Sequence, residues 1–224
     1  MRAYNRSMRT RAGLIIVILS FQVQVWARQS PPFAIPDERG AGQKNAPIVI
    51  EVFSDFQCTG CGEFYLQTLA KVIEEYSKPG KVYLLHREYP LPIHRYARDA
   101  ARWALACAGV GQYEKASAAL FRDQATWGKS GDIEATIAST LTSTELTAVK
   151  QAMKDSGEKI DAALERDLSA GRAFPVHGTP SFRILLHGSE IFADHDEPEK
   201  ILPTDPKLKN YPALKLYLDE KLSK

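Results

Sequence analysis

Two of the chain's three cysteines, Cys58 and Cys61, stand three positions apart in the stretch "FQCTGCG". Thiols at that spacing serve a redox couple, half of a zinc site or a structural disulfide. A zinc site commonly takes four ligands, from a second CxxC pair or from closely spaced histidines. Here only Cys107 and five scattered histidines remain, so no metal is expected. A disulfide closing so short a loop constrains the unfolded chain little. Thiol-disulfide exchange is therefore the favoured chemistry, with metal binding and a structural bridge as the alternatives.

The flanking residues say how such a pair is held. "PIVIEVFSD" from Pro47 is a β-branched and aromatic run of strand length, which predicts a largely buried strand. After it, Cys61, Tyr65, Leu69, Val72, Ile73 and Tyr76 recur at three- and four-residue steps, one face of a helix. A strand running straight into a helix puts Cys58 at or just before the first helical turn and Cys61 one turn in. Backbone N–H groups there are unpaired and the helix dipole is positive, so a thiolate at Cys58 is favoured over a thiol. Such a thiolate attacks disulfides readily and leaves readily, and Cys61 on the packed face is placed to resolve the mixed disulfide.

Farther along, "KVYLLHREYP" predicts a second strand, and from about residue 93 to 171 the chain is rich in Ala and reads as helix throughout. The segments are "YARDAARWALACA", "QYEKASAALFRDQATW", "DIEATIASTL", "STELTAVKQAMKDS" and "EKIDAALERDLSAG", with caps expected at Ser143, ahead of Glu145, and at Asp132, ahead of Glu134. "TPSFRILLHGSEIF" predicts a hairpin turning at His187 and Gly188, and "YPALKLYLDEKL" a closing amphipathic helix. The expected fold class is α/β, with residues 47–93 and 174–224 forming one domain and 94–173 a helical insertion.

Residues 1–27 have a basic start, about ten strongly apolar residues and a polar end with Val25 and Ala27 before a cut, the plan of a cleavable signal peptide. The apolar stretch falls short of the roughly 20 residues that span a bilayer, so a membrane anchor is the weaker reading. Export to the periplasm or beyond implies an oxidising compartment where disulfides persist. Residues 28–46, rich in Pro, Gly and polar types, are expected to form a flexible arm. With 44% hydrophobic and 25% charged residues the chain is globular in composition. Its net charge of +2 depends on Arg2, Arg6, Arg9 and Arg11; without residues 1–27, 25 basic residues face 27 acidic ones. That balance shows no overall bias toward nucleic acid, and no nucleotide fingerprint or serine-nucleophile elbow appears.

Taken together, "VFSDFQCTGC", "REYPLPIHRYARDAARWALACA" and "VHGTPSF" resemble the DsbA-like thiol-disulfide oxidoreductases, from about Pro47 to the C-terminus. The resemblance implies a thioredoxin-like fold with an inserted α-helical domain, Cys58 as the solvent-facing attacking thiol and Cys61 as its buried partner. It also implies that the Thr179–Pro180 bond is cis and packs beside the CxxC, where Thr179 and Pro180 would bind an incoming peptide as an added strand. Implied partners are reduced or misfolded exported proteins and a reoxidising membrane protein of the DsbB or vitamin K epoxide reductase type. No bound cofactor is needed, because the disulfide carries two electrons, and a monomer is expected.

Two departures affect what is carried over. Thr59-Gly60 stands between the cysteines where the family commonly has Pro followed by an aromatic or His, which leaves the redox potential open. The family's buried Glu six residues before the first cysteine is Val52 here, and strand alternation turns Glu51 to the opposite side, where it reads as exposed without a special role. His177 is a candidate for tuning the thiolate, and a solvated loop histidine otherwise. Cys107 reads as a small buried hydrophobe, with a third redox thiol as its rival. The function expected is an exported oxidase that introduces disulfides. The alternatives are a reductase or isomerase using the same pair, and a non-catalytic binding or chaperone module.

Overall fold

The computed structural model describes residues 33–36, 39–174, 176–186 and 206–223. The signal peptide assigned to residues 1–27 and the return strand of the hairpin beyond Leu186 lie outside them. The centre is a four-stranded sheet in the order β1-β3-β2-β4, formed by β1 (Arg39–Ala41), β2 (Ile48–Ser54), β3 (Val82–Glu88) and β4 (Ser181–Leu186). β2 and β3 run parallel, with Ile48 opposite Val82 and Ser54 opposite Glu88, while β1 and β4 lie antiparallel at their flanks.

Every residue of β2 is buried, Glu51 included, as befits an inner strand with both faces covered. Alternation assigns the faces. Ile48, Ile50 and Val52 join Val82, Leu84, Phe182 and Ile184 in the main core against the helices, and Val49 packs with Tyr83, Leu85, Leu185 and Ala46 on the other side. A seven-residue strand thus carries the CxxC out of the middle of the sheet.

The helix after β2 begins as α1 (Thr59–Phe64) and continues through a π-helical turn at Tyr65–Leu69, α2 (Ala70–Val72) and a second π-helical turn at Ile73–Ser77. Cys61, Tyr65, Leu69, Val72 and Tyr76 are all buried, so the sequence periodicity marks the packed face despite the widened turns. Tyr65 stacks on Phe121 at 4.7 Å between ring centroids, which ties this helix to the helical block.

That block lies between β3 and β4: α3 (Ala97–Gly109), α4 (Tyr113–Arg122), α5 (Gln124–Ser130), α6 (Ile133–Ala138), α7 (Ser143–Asp155) and α8 (Gly157–Ala173). The single helix expected over residues 112–127 is two, parted at Asp123. Asp132 caps α6 through the N–H of Ala135. The cap of α7 is Thr142 rather than Ser143: its hydroxyl accepts the N–H of Glu145 while the Glu145 carboxylate accepts the N–H of Thr142, a reciprocal box that Ser143 is one residue too late to close. The chain ends in α9 (Tyr211–Leu222), which buries Leu214 and Leu218.

The expectation that residues 28–46 form a flexible arm is corrected at its C-terminal end. Arg39–Ala41 is an edge strand on β3, and Ala46 is buried. A methyl group at Gly40 would run into the Leu84 carbonyl, so only glycine lets this strand lie so close. The Arg39 guanidinium is buried in an ion pair with Asp167 of α8, which also lies 3.3 Å from Nη1 of Arg87. Arg87 and Arg183 in turn both hold Glu51, the former at 2.7 Å. Glu51 does face away from Val52, as alternation requires, but it is 1% exposed rather than solvated: the neighbouring strands each lay an arginine over it.

Candidate functional site

The CxxC turn is built from backbone. Cys58 is the N-cap of α1 in an extended conformation (φ −77°, ψ 118°), and its carbonyl accepts the N–H groups of Cys61 at 3.0 Å and Gly62 at 3.1 Å. No side chain caps this end and no acidic residue lies in the first turn, so its N–H groups are left for the Cys58 sulfur. Both cysteines are free thiols. Cys58 is partly exposed; Cys61 is 1% exposed, one turn in on the packed face.

This arrangement drives the two thiols apart. The Cys58 pKa is pushed down to about 5, first by the hydrogen bond from Cys61 and then by Thr179 and the N–H groups of Cys61 and Gly60, against opposition from partial burial. The Cys61 pKa is pushed far up, first by burial and then by the hydrogen bond it gives to Cys58; the Asp55 N–H, 3.4 Å from its sulfur, works the other way. One thiol is an anion near neutral pH and the other keeps its proton.

Thr179 and Pro180 meet this pair from the loop before β4. Their peptide bond is cis, Pro180 is buried, and Cys58 Sγ lies 3.4 Å from the Thr179 carbonyl oxygen, which accepts the proton of a thiol at Cys58. The buried Thr179 hydroxyl has no other partner and is a donor for the thiolate form. A side chain at Gly60 would meet Pro180 Cδ at 3.6 Å and Cys58 Sγ at 3.9 Å, ordinary contact distances. The Thr-Gly dipeptide puts no charged group between the cysteines and leaves the thiolate to Cys61, Thr179 and the backbone N–H groups of the turn. A hollow of about 240 Å³ opens beside the turn among Gly60, Glu63, Gln67, Pro180 and Lys209. His177 is exposed, and no hydrogen bond joins it to either sulfur.

Several residues that hold the turn were not singled out from sequence. The Asp55 carboxylate accepts the N–H groups of Gln57 and Leu91 and lies against Nδ1 of His94, each at 2.7 Å. Gln57 accepts the Tyr96 N–H at 2.7 Å and donates to the Gly128 carbonyl at 2.9 Å. Gln124 of α5 donates to the carbonyls of Phe56 at 2.6 Å and Cys58 at 2.9 Å. Asp55 and His94 lie within the segments that carry the family resemblance, the signal that could have found them; Gln124 carries no such signal. On the α1 side of the sheet Glu88 is buried and accepts the Tyr113 hydroxyl, and burial is the chief cause that pushes its carboxyl up to about 8.

Cys107 lies fully buried in α3 with Ala100, Ala104 and Ala108, and burial pushes its thiol up to about 12, which fits a small core hydrophobe. Among the described residues no three His, Cys, Asp or Glu side chains gather as metal ligands, and no helix is long and apolar enough to cross a membrane.

Comparison with known proteins agrees with the geometry. A family model described as Thioredoxin matches residues 35–202. The "Probable disulfide bond formation protein D" of Bacillus cereus is 26% identical over 182 residues, 78% of this chain and 82% of that protein. Among solved structures, alpha-DsbA1 of Wolbachia pipientis superposes with a TM-score of 0.63 over 86% of this chain and 94% of its own, at 18% identity. Oxidised BdbD of Bacillus subtilis does so with 0.63 over 85% and 96%, at 17% identity. The chain thus belongs to the thioredoxin family, with the DsbA-like form of its fold, in which a helical domain is inserted, and with the thiol-disulfide oxidoreductases as its relatives.

Proposed function

We propose that this protein is an exported thiol-disulfide oxidoreductase that introduces disulfides into protein substrates through Cys58 and Cys61. The observation that carries the reading is the division between the two thiols, Cys58 lowered to about 5 and Cys61 raised far above its ordinary value. At neutral pH the reduced form is stabilised as a Cys58 thiolate, and stabilising the reduced form makes a pair more oxidising.

In this mechanism a substrate thiolate attacks Sγ of Cys58 in the oxidised pair, breaking the Cys58–Cys61 bond and expelling Cys61, which takes up a proton. A second substrate thiolate then attacks the substrate sulfur of the mixed disulfide and expels Cys58 as its stable thiolate. Two electrons pass from substrate to enzyme. Thr179 and Pro180 border the sulfur, where an extended peptide pairs with the Thr179 backbone. The substrates are reduced or misfolded exported proteins in the periplasm or outside the cell, and a membrane oxidant of the DsbB or vitamin K epoxide reductase type restores the disulfide. The unit is a monomer. His177 is a solvated loop residue in this reading.

Equilibration in graded glutathione buffers, with thiols trapped by a mass-adding alkylator, measures the potential of the pair. A value near about −120 mV, that of a strong periplasmic oxidant, is expected; one near about −270 mV, that of thioredoxin, assigns the reductive direction instead. If wild type and Cys58→Ser protect an unfolded client from aggregation equally, and neither turns over thiols, the protein is a binding module.

A further inference from the structure

The Asp55 backbone meets both cysteines. Its N–H points at Cys61 Sγ at 3.4 Å, and its carbonyl accepts the Cys58 N–H at 3.1 Å. Its side chain is fully buried and takes no part in those two contacts. What the carboxylate does gather is three donors at 2.7 Å: the N–H groups of Gln57 and Leu91, and Nδ1 of His94. Two of these belong to the segment from Tyr89 to Tyr96, which is tied a third time by the Tyr96 N–H on Gln57. His94 is the outer end of this arrangement, with 23% of its side chain exposed, next to Ile93 at 83%.

The cost of losing the carboxylate follows from its partners. Two backbone N–H groups and an imidazole N–H would be left around a buried site without an acceptor, and hydrogen bonds to a charged group are the stronger kind. The turn that carries the Asp55 N–H onto Cys61 would then keep its own backbone bonds and the ties from Gln57 and Gln124, but lose its direct side-chain tie to the Tyr89–Tyr96 segment. The Asp55 N–H is the backbone donor that favours ionisation of Cys61, the thiol that burial most strongly disfavours as an anion. Loosening it acts on Cys61 before it acts on Cys58, whose anion is held by Cys61, Thr179 and the first-turn N–H groups.

We propose that Asp55 and His94 are positioning residues for the exchange reaction: they clamp the Tyr89–Tyr96 segment to the redox turn and keep the Asp55 N–H on Cys61, and so set the rate at which Cys61 enters or leaves the disulfide. This rests on Cys58 and Cys61 being the exchanging pair.

Reduced protein mixed with glutathione disulfide separates the two steps. In the first, the Cys58 thiolate attacks a glutathione sulfur and releases one glutathione thiolate. In the second, Cys61 gives up its proton and attacks Cys58, releasing the other glutathione. Acid quenching and intact mass follow the mixed disulfide through both. For His94→Ala and Asp55→Asn we expect the second step to slow about tenfold, the effect of one charge-assisted hydrogen bond, with the first within about twofold of wild type. His94→Asn should restore the second step, because its side-chain N–H stands where Nδ1–H does. The proposal is overturned if folded His94→Ala resolves at the wild-type rate, or if His94→Ala and His94→Asn slow both steps alike, which is the mark of general loosening. A wild-type protein that forms no mixed disulfide at all refutes the proposed exchange function rather than the clamp.

Discussion

Changing the pH from 6 to 8.5 should reverse the order of reactivity between Cys58 and an ordinary cysteine. With a pKa of about 5 against an ordinary value of 9.0, Cys58 is about 90% thiolate at pH 6 where a free thiol is about 0.1% ionised, a gain of about 900-fold in nucleophile. A more stable thiolate is a weaker nucleophile, with a Brønsted slope of about 0.4–0.5, so a difference of about four in pKa lowers its intrinsic rate about 60-fold. The net result is attack about 15-fold faster than the free thiol at pH 6. At pH 8.5 the free thiol is about a quarter ionised, and Cys58 becomes about 15-fold slower. The two profiles cross near pH 7. Stopped-flow measurement of the first attack on glutathione disulfide, by reduced protein and by an unstructured peptide with one cysteine, yields both curves. A protein rate that climbs in parallel with the peptide's from pH 6 to 8.5 would refute the stabilised thiolate and with it the division of labour between the cysteines.

Cys61→Ala removes the first cause of the low Cys58 pKa, a hydrogen bond to a charged group; titration of thiolate absorbance should find Cys58 at about 6–7 instead of about 5. Thr179→Val removes a weaker donor and should raise Cys58 by about one pH unit in the same titration. Because folding lowers the Cys58 pKa, its contribution to the stability of the reduced chain is complete above about pH 9 and fades as the pH falls toward about 5. The disulfide form has no such group, so the Tm of the reduced chain relative to the oxidised one should drop on going from pH 8 to pH 5 in calorimetry. Glu51→Ala leaves Arg87 and Arg183 half-buried without their shared carboxylate and should cost about 3 kcal/mol in urea unfolding.

The redox turn was legible because its determinants are local: a β-branched and aromatic run, then CxxC, then a helical period, all within about thirty residues. The place of Cys61 on the packed face followed from that period, and the ordering of the two thiols from the position of Cys58 at the helix N-terminus. Thr179 and Pro180, more than a hundred residues away, were reached mainly through resemblance, because base rates by themselves favour a trans bond before Pro180. Glu51 shows where local reasoning ends. Alternation placed it on the correct face, but its burial depends on Arg87 and Arg183, 36 and 132 positions along the chain. The strand at Arg39–Ala41 has glycine at its centre and no strand-forming signal; pairing with β3 and the ion pair to Asp167 hold it in place. Gln124 touches the turn from 66 and 68 residues away with an amide that reads, in sequence, like any surface glutamine.

The buried charges of the sheet acquire their partners in a fixed temporal order. When the first three strands have been synthesised, Arg39, Glu51 and Arg87 are present, two cations for one anion, on surfaces meant to be dry. Asp167 comes 128 residues after Arg39, and Arg183 comes 132 after Glu51. Until Asp167 arrives, closing the sheet would bury the Arg39 charge without its counter-charge, which is unfavourable. A nascent chain therefore gains little by locking its amino-terminal strands early, and folding waits for nearly the whole polypeptide. A ribosome-arrested fragment ending before Asp167 should remain protease-sensitive, which keeps the chain open for as long as its own synthesis lasts.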